Sequence, residues 1–435
     1  MRDTIFALAS GPGRAAVAVL RLSGPASRMA LERLIGRCPP PRHASLVALR
    51  DPHSGELLDR GLALWFPGPR SFTGEDAAEL QLHGGRAVVA SVLDALGRLH
   101  GCRLAEPGEF TRRAFAEGRL DLAEVEGLAD LIDAQTAAQR RQALHQMDGA
   151  LGLWVADLRD ALLTAQALAE SAIDFADEGD VAADALSQAR AATLAVAARI
   201  AAERDRPPAA EQVRDGFVVA LTGPPNAGKS TLLNALARRD VALVSAIPGT
   251  TRDPIEVALD LGGYAVVLVD TAGLRPSDDP LEQAGIARAR ARAEAADLVL
   301  WLQDATTPPI LPEQDIYAAA VAVGTKGDTV ATPADGYALT IAARTGEGLP
   351  ALIAHLQTLV AARLVGGETA LVGRARHRAA LTRAAALLDA ALRQDEAELM
   401  AEDLRSAAAA LLSLVGRIDV EDVLGSIFSR FCIGK

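Results

Sequence analysis

The run GPPNAGKS at residues 223–230 has the residue types and spacing to hold a polyphosphate. Glycines let main-chain N–H groups close around phosphate oxygens, and a helix N-terminus beyond them adds partial positive charge. The flanking sequence supplies that setting, with an apolar strand-like run at Phe217–Thr222 and a helical run, TLLNALAR, after Ser230. Lys229 is placed to reach the β- and γ-phosphates and Ser230 to ligate Mg²⁺.

Three more motifs follow in the order a GTPase requires. DTAG (270–273) ends the strand-like run VVLVD, which puts Asp270 beside the metal and lets Gly273 donate to the γ-phosphate. GTTRD (249–253) lies between the two, where a loop must cover the metal, and Thr251 is its expected Mg²⁺ ligand. TKGD (325–328) follows another strand, and Asp328 can accept from the guanine N1 and N2 donors. Adenine leaves that carboxylate unpaired, a mismatch that discriminates by ~10⁴ or more. Thr325 stands where Asn is usual, and Ala342 in IAARTGEG (341–348) where Ser is usual, so a guanine pocket with looser binding is expected. The residue after DTAG is Leu274, which cannot polarise water as a glutamine there does. Asn226 carries an oxygen suited to a monovalent cation, and equally to a hydrogen bond inside its own loop.

These motifs need a parallel sheet with crossover helices, and residues 215–366 alternate accordingly: FVVALTG, VVLVD, DLVLWLQ, AAVAVG, YALTIAA. Before them, AVAVLRLSG (16–24) and GLALWFPGP (61–69) read as strands, and SVLDALGRLHG (91–101) as a helix ending at Gly101. Residues 1–118 are thus an α+β module. From about Leu120 the pattern turns helical, with Leu151, Trp154, Val155, Leu158, Leu162 and Ala165 on one face. It returns to helix after Gly366-Gly367. Segments 119–214 and 367–435 are expected to pack as one bundle, with the GTPase domain inserted between them.

Composition agrees with a folded, multi-domain chain: 435 residues, 50% apolar, 23% charged, net charge −12. The acidic balance excludes a broad, non-specific nucleic-acid coat. Cys38, Cys102 and Cys432 make no metal spacing, and no apolar stretch reaches membrane-spanning length, so a reduced, cytoplasmic, soluble protein is expected.

DTIFALASGPGRAAVAVLRLSG, SFTGEDAAELQLHGG (71–85), PGEFTRRAFAEGRLDLAEVEGLADLIDA (107–134) and the terminal FCIGK (431–435), with the motifs above, resemble the bacterial and organellar tRNA modification GTPases of the MnmE (TrmE) family. The resemblance runs from residue 3 to the last. It implies an N-terminal tetrahydrofolate-binding-like domain that dimerises constitutively and binds 5-formyltetrahydrofolate or a related one-carbon folate. It also implies a helical domain interrupted by the GTPase domain, and a heterotetramer with an FAD-dependent partner, MnmG (GidA). Together they modify C5 of the wobble uridine of certain tRNAs. GTP hydrolysis drives G-domain dimerisation and conformational gating, with K⁺ standing where an arginine finger acts elsewhere.

Carried over by residue, the resemblance makes Asn226, Ser245, Ile247 and Thr250 the potassium ligands and Glu282 the acid that positions the attacking water. Cys432 serves modification, and Arg21, Glu79, Arg119 (where the family usually has Lys) and Lys435 bind folate. The nucleotide contacts it implies are Asn226, Ala227, Gly228, Lys229, Ser230 and Thr231; Ser245, Ala246, Ile247, Pro248, Gly249, Thr250 and Thr251; Asp270, Thr271, Ala272 and Gly273; Thr325, Lys326 and Asp328; and Ala342, Ala343 and Arg344. On residue type alone, Glu282 reads as a solvated first-turn carboxylate, Cys432 as a small apolar tail residue, and Arg21 with Glu79 as an ion-paired edge. Two other functions fit parts of the chain: a ribosome-assembly GTPase, against which the folate-like module and the FCIGK tail speak, and a stand-alone folate-dependent aminomethyltransferase, for which the module is too short.

Overall fold

The computed structural model describes residues 3–11, 13–177, 179–243, 256–270, 295–310, 320–416 and 434. It divides into two compact units, Met1–Ala129 with Gly152–Arg159 and Ala409–Lys435, and Asp130–Leu151 with Asp160–Ala408.

In the first unit β1 (Thr4–Leu8), β2 (Ala15–Ser23), β3 (Ser45–Arg50), β4 (Leu57–Phe66), β5 (Ala77–Gly84) and β6 (Cys102–Leu104) form one sheet in the order β3-β4-β5-β2-β1-β6. All neighbours are antiparallel except β1 and β6. Alternation in β2 buries Ala18 and sends Leu20 and Leu22 into a core shared with α1 (Ser27–Ile35) and α2 (Arg86–Gly97). The same alternation leaves Arg21 on the other face, where it pairs across strands with Glu79 of β5. On that face Phe110, of α3 (Glu109–Ala116), packs with Ile5, Ala7 and Ala105. The helix expected over 91–101 begins earlier and stops sooner, because Gly101, at φ +77°, serves the turn into β6 rather than the helix end. The second strand likewise starts earlier, since Leu57–Arg60 pair with β3, and it stops before Pro67 and Pro69.

The remaining helices of the N-terminal half are α4 (Leu122–Asp133), α5 (Ala137–Met147), α6 (Ala150–Asp174), α7 (Gly179–Arg204) and α8 (Ala209–Asp215). The expected apolar stripe on α6 is buried at Leu151, Val155, Leu158, Leu162 and Ala165, with Trp154 only partly so. α7 is Ala-rich, and so lies close against the later α11 (Ala375–Arg393), as Arg190 Nη2 donates to Gln394 O (2.7 Å) and Arg378 Nη1 to Arg204 O (2.8 Å). Chain from both flanks of the GTPase segment therefore meets in the second unit, where α12 (Ala397–Leu412) completes the helices.

Within that unit a second sheet has the order β12-β11-β10-β7-β9-β8, parallel except for the β8–β9 hairpin. Its strands are β7 (Phe217–Thr222), β8 (Glu256–Leu261), β9 (Tyr264–Asp270), β10 (Leu298–Asp304), β11 (Ala320–Thr325) and the short β12 (Leu339–Thr340). Helices α9 (Lys229–Ala237) and α10 (Leu349–Arg363) bury Leu232, Leu236, Leu352 and Leu356 against it. The hairpin turn is tied to α5 by the Ala138 N–H, which donates to Gly263 O (2.9 Å), and Arg141 Nη2 of the same helix pairs with Glu368 Oε1 (2.7 Å). Gln142 Nε2 donates to Ala210 O and Gly367 O, and a Thr136–Gln139 capping box fixes the helix start. Among the described residues no helix is long and apolar enough to cross a membrane.

Candidate functional site

β7 carries the chain to the centre of the second sheet and releases it at Gly223, whose φ of +134° and surroundings admit no side chain. A β-carbon there would lie 2.0 Å from Leu302 O of the neighbouring β10. The chain then turns through Asn226 in the left-handed region (φ 62°), which asparagine tolerates better than most residues, and through Gly228 (φ +89°) into α9. The backbone thus gives its own reason for asparagine at 226, beside the two chemical ones.

Lys229, mostly buried at the first turn of α9, donates from Nζ to Gly223 O (2.8 Å) and Pro224 O (2.9 Å). Burial lowers the pKa of its ammonium, and the charge of Asp270 opposes that fall. Those carbonyls hold the ammonium at the loop. Next to it Ser230 Oγ donates to Asp270 Oδ2 (2.6 Å), so a hydroxyl and a buried carboxylate from two motifs 40 residues apart share one point at the end of β9. Hard oxygen donors of this kind suit Mg²⁺. Among the described residues no cluster of three or more His, Cys, Asp or Glu competes as a metal centre.

From this point a cavity of about 700 Å³ runs to the ends of β11 and β12. Its walls bring together Asn226, Gly228, Lys229, Ser230 and Thr231 with Thr325, Lys326, Asp328, Ala343 and Arg344. Sequence reasoning missed Pro225 and Thr329, which also line it. Ala227 and Ala342 are buried, and neither is among the wall residues. Ala342 N–H donates to Glu347 O (2.9 Å) and Gly346 N–H to Ala342 O (2.8 Å), which closes the turn that presents Ala343 and Arg344. A serine hydroxyl at 342 is therefore not needed to shape this turn.

Asp328 is exposed on a short 3₁₀ turn, Gly327–Thr329, which Gly327 N–H anchors to Ile341 O (3.0 Å). Thr325, 4% exposed, donates from Oγ1 to Gln303 O (3.1 Å). Lys326, at φ 57°, reaches Asp304 Oδ2 (3.0 Å), and that lysine holds the Asp304 carboxyl below the usual range. Asp304 was not anticipated. The only sequence signal was its place at the end of DLVLWLQ, one residue past the apolar run. Ser245, Ala246, Ile247, Pro248, Gly249, Thr250, Thr251, Thr271, Ala272, Gly273, Leu274, Glu282, Cys432 and Lys435 lie outside the described residues.

In the first unit Arg21 Nη2 meets Glu79 Oε1 at 3.1 Å, with both side chains about a quarter exposed. The guanidinium also lies 5.3 Å from the Phe72 ring centre and 5.9 Å from that of Phe110. Arg119 is exposed and runs along the same loop: a β-carbon on Gly74 would touch its Cδ at 3.5 Å. Behind them Arg113 bridges Glu75 (3.1 Å) and Glu109 (3.0 Å), while Ser23 Oγ donates to Glu75 Oε2 (2.7 Å). Gly434 is buried, and a β-carbon on it would lie 2.1 Å from Leu8 O, so the chain at this one residue approaches the end of β1 backbone to backbone.

Comparison with known proteins gives two family matches, described as "MnmE helical domain" over residues 122–432 and "GTP-binding protein TrmE N-terminus" over residues 4–119. Among curated proteins, one from Beijerinckia indica subsp. indica is 55% identical over the whole of this chain and 96% of its own length. One from Azorhizobium caulinodans is 55% identical over 100% and 99%, and one from Methylobacterium sp. (strain 4-46) 56% identical over 100% of both. All three are named "tRNA modification GTPase MnmE".

Proposed function

The chain belongs to the MnmE (TrmE) family of tRNA modification GTPases and is a GTP hydrolase of tRNA modification, and we propose that its hydrolysis is potassium-activated and gates modification of C5 of the wobble uridine. The observation that carries this is the single cavity joining Lys229 and Ser230 to Asp328, in a chain that matches the family end to end.

GTP enters with its phosphates along residues 226–231 and its base toward Asp328. Lys229 exchanges its carbonyl partners for phosphate oxygens. Ser230 and Thr251 would hold Mg²⁺ beside Asp270, where the ion would supply positive charge to the β- and γ-phosphates. Asn226, with Ser245, Ile247 and Thr250, would hold K⁺, which would supply further positive charge to the same groups. Glu282 takes the water-positioning duty that Leu274 cannot perform, and water attacks the γ-phosphorus to give GDP and inorganic phosphate. Closure of two such domains in a homodimer then drives the modification step.

In the first unit, Arg21 and Glu79, with Phe72 and Phe110 near the guanidinium and Arg119 along the loop, suit a flat, polar, anionic folate. Lys435 is the fourth residue of the proposed folate site, and Cys432 serves modification. An FAD-dependent partner, MnmG, supplies the redox chemistry in a heterotetramer, with tRNA as the substrate and the cytoplasm as the compartment. Nucleoside mass spectrometry of tRNA tests the proposal: cells lacking this chain lose the C5-modified wobble uridine, and its restoration returns it. Unchanged nucleosides refute it.

A further inference from the structure

Guanine offers donors at N1 and N2 and acceptors at O6 and N7, so a residue reading the second edge must bring a proton. Thr325 stands between the phosphate loop and the base end of the cavity, its Cβ 3.8 Å from where a β-carbon on Gly228 would lie. Its hydroxyl has one proton, and that proton goes to Gln303 O at 3.1 Å, in an environment that leaves the residue 4% exposed. Gln303 O is an acceptor only, so the direction of this bond is fixed, and toward the cavity the oxygen has lone pairs alone. Two acceptors do not bond. The Lys326 ammonium is drawn to Asp304 at the end of β10 (3.0 Å), and Ala342 N–H is committed to Glu347 O.

We infer that Thr325 makes this enzyme blind to the guanine N7. The base is selected through Asp328 at N1 and N2 and through the Ala343–Arg344 turn at O6, while Thr325 serves as a pillar that bonds back to β10. Nucleotides with a carbon in place of N7, the 7-deazaguanine class, are then accepted as well as guanine nucleotides are. The inference rests on the reading that Asp328 holds the base.

The test is competition binding to the full-length protein with Mg²⁺ and K⁺ present, comparing GTP, 7-deaza-GTP and inosine triphosphate. The wild type binds 7-deaza-GTP within about threefold of GTP, and a larger penalty overturns the inference. Thr325→Asn puts an amide donor at this position, and one added neutral hydrogen bond is worth up to about tenfold. The variant is expected to discriminate against 7-deaza-GTP by more than about threefold; a ratio that stays near one shows that position 325 does not govern reading of N7, and overturns the inference too. If Thr325→Asn does not fold, the wild-type ratio alone decides. Inosine triphosphate lacks the N2 amine, so equal binding of it and GTP sinks the role of Asp328, a failure distinct from any 7-deaza result.

Discussion

Replacing Glu109 by glutamine should destabilise the N-terminal module in a way that fades with acid. The carboxylate is almost fully buried, its side chain 3% exposed, at the start of α3. Burial alone pushes its pKa up, but Arg103 (2.6 Å), the Glu106 amide (3.0 Å) and Arg113 (3.0 Å) outweigh it and hold the group at about 2, against 4.5 in the unfolded chain. A gap of about 2.5 pH units corresponds to ~3 kcal/mol at neutral pH. Because the folded pKa is the lower one, this stability is present above the unfolded value and is lost as pH falls through the window between the two. At pH 3 about 2 of those ~3 kcal/mol are gone, since the unfolded state binds the proton well before the folded state does. The assay is urea unfolding of the full chain at several pH values, with Trp154 and Trp301 replaced by phenylalanine so that the buried Trp65 reports on the first sheet. The gap between wild type and Glu109→Gln should be ~3 kcal/mol at pH 7 and shrink to ~1 kcal/mol at pH 3. Parallel curves across that range refute the reasoning, because a purely steric cost does not titrate.

Replacing K⁺ by Na⁺ at matched ionic strength should lower GTP turnover about tenfold or more, since one lost charge-stabilising group at a phosphoryl transfer centre commonly costs that much; equal steady-state rates refute the role of Asn226 as a cation ligand. Glu282→Ala should keep nucleotide affinity within a few-fold and lose ~10²-fold in kcat, read from titration and phosphate release; unchanged turnover returns the residue to a surface carboxylate. Gly223→Ala forces a β-carbon to 2.0 Å from Leu302 O at a φ of +134°. It should destabilise the GTPase domain by ~2–5 kcal/mol, measured by urea unfolding with Trp301 as probe, and a change under ~0.5 kcal/mol contradicts the geometry.

The parts of this protein that sequence exposes are those where local backbone geometry dictates residue type. Gly223 and Gly228 are readable because the strand–loop–helix reversal puts both at positive φ, and at Gly223 a β-carbon would also clash with β10. β2 is readable from its alternation, and β7, β9 and β10 as short apolar runs, because strands covered on both faces bury nearly every side chain. Boundaries are less so. Gly101 looked like a helix stop, yet α2 ends at Gly97, and only the need to turn into β6 explains where the glycine is used.

What sequence does not expose is chemistry set by the register of strands distant in the chain. Parallel pairing of β10 with β11 puts Gln303 opposite Gly324 and Asp304 opposite Thr325, with Ala305 N–H donating to Thr325 O (3.0 Å). From that register follow two contacts no motif announces: the Thr325 hydroxyl turned to Gln303 O, and the Lys326 ammonium held by Asp304. The sequence reports that an asparagine is missing at 325; it does not report where the threonine's one proton goes. That destination separates a weakened base contact from none at all, and it depends on a carbonyl 22 residues upstream. The same limit applies to Arg21 and Glu79. Their charges suggest a pair, but the rings of Phe72 and Phe110 that flank the guanidinium arrive from a loop and a helix far along the chain. A paired arginine facing water is worth little; the two nearby rings add attraction that the pair alone does not supply.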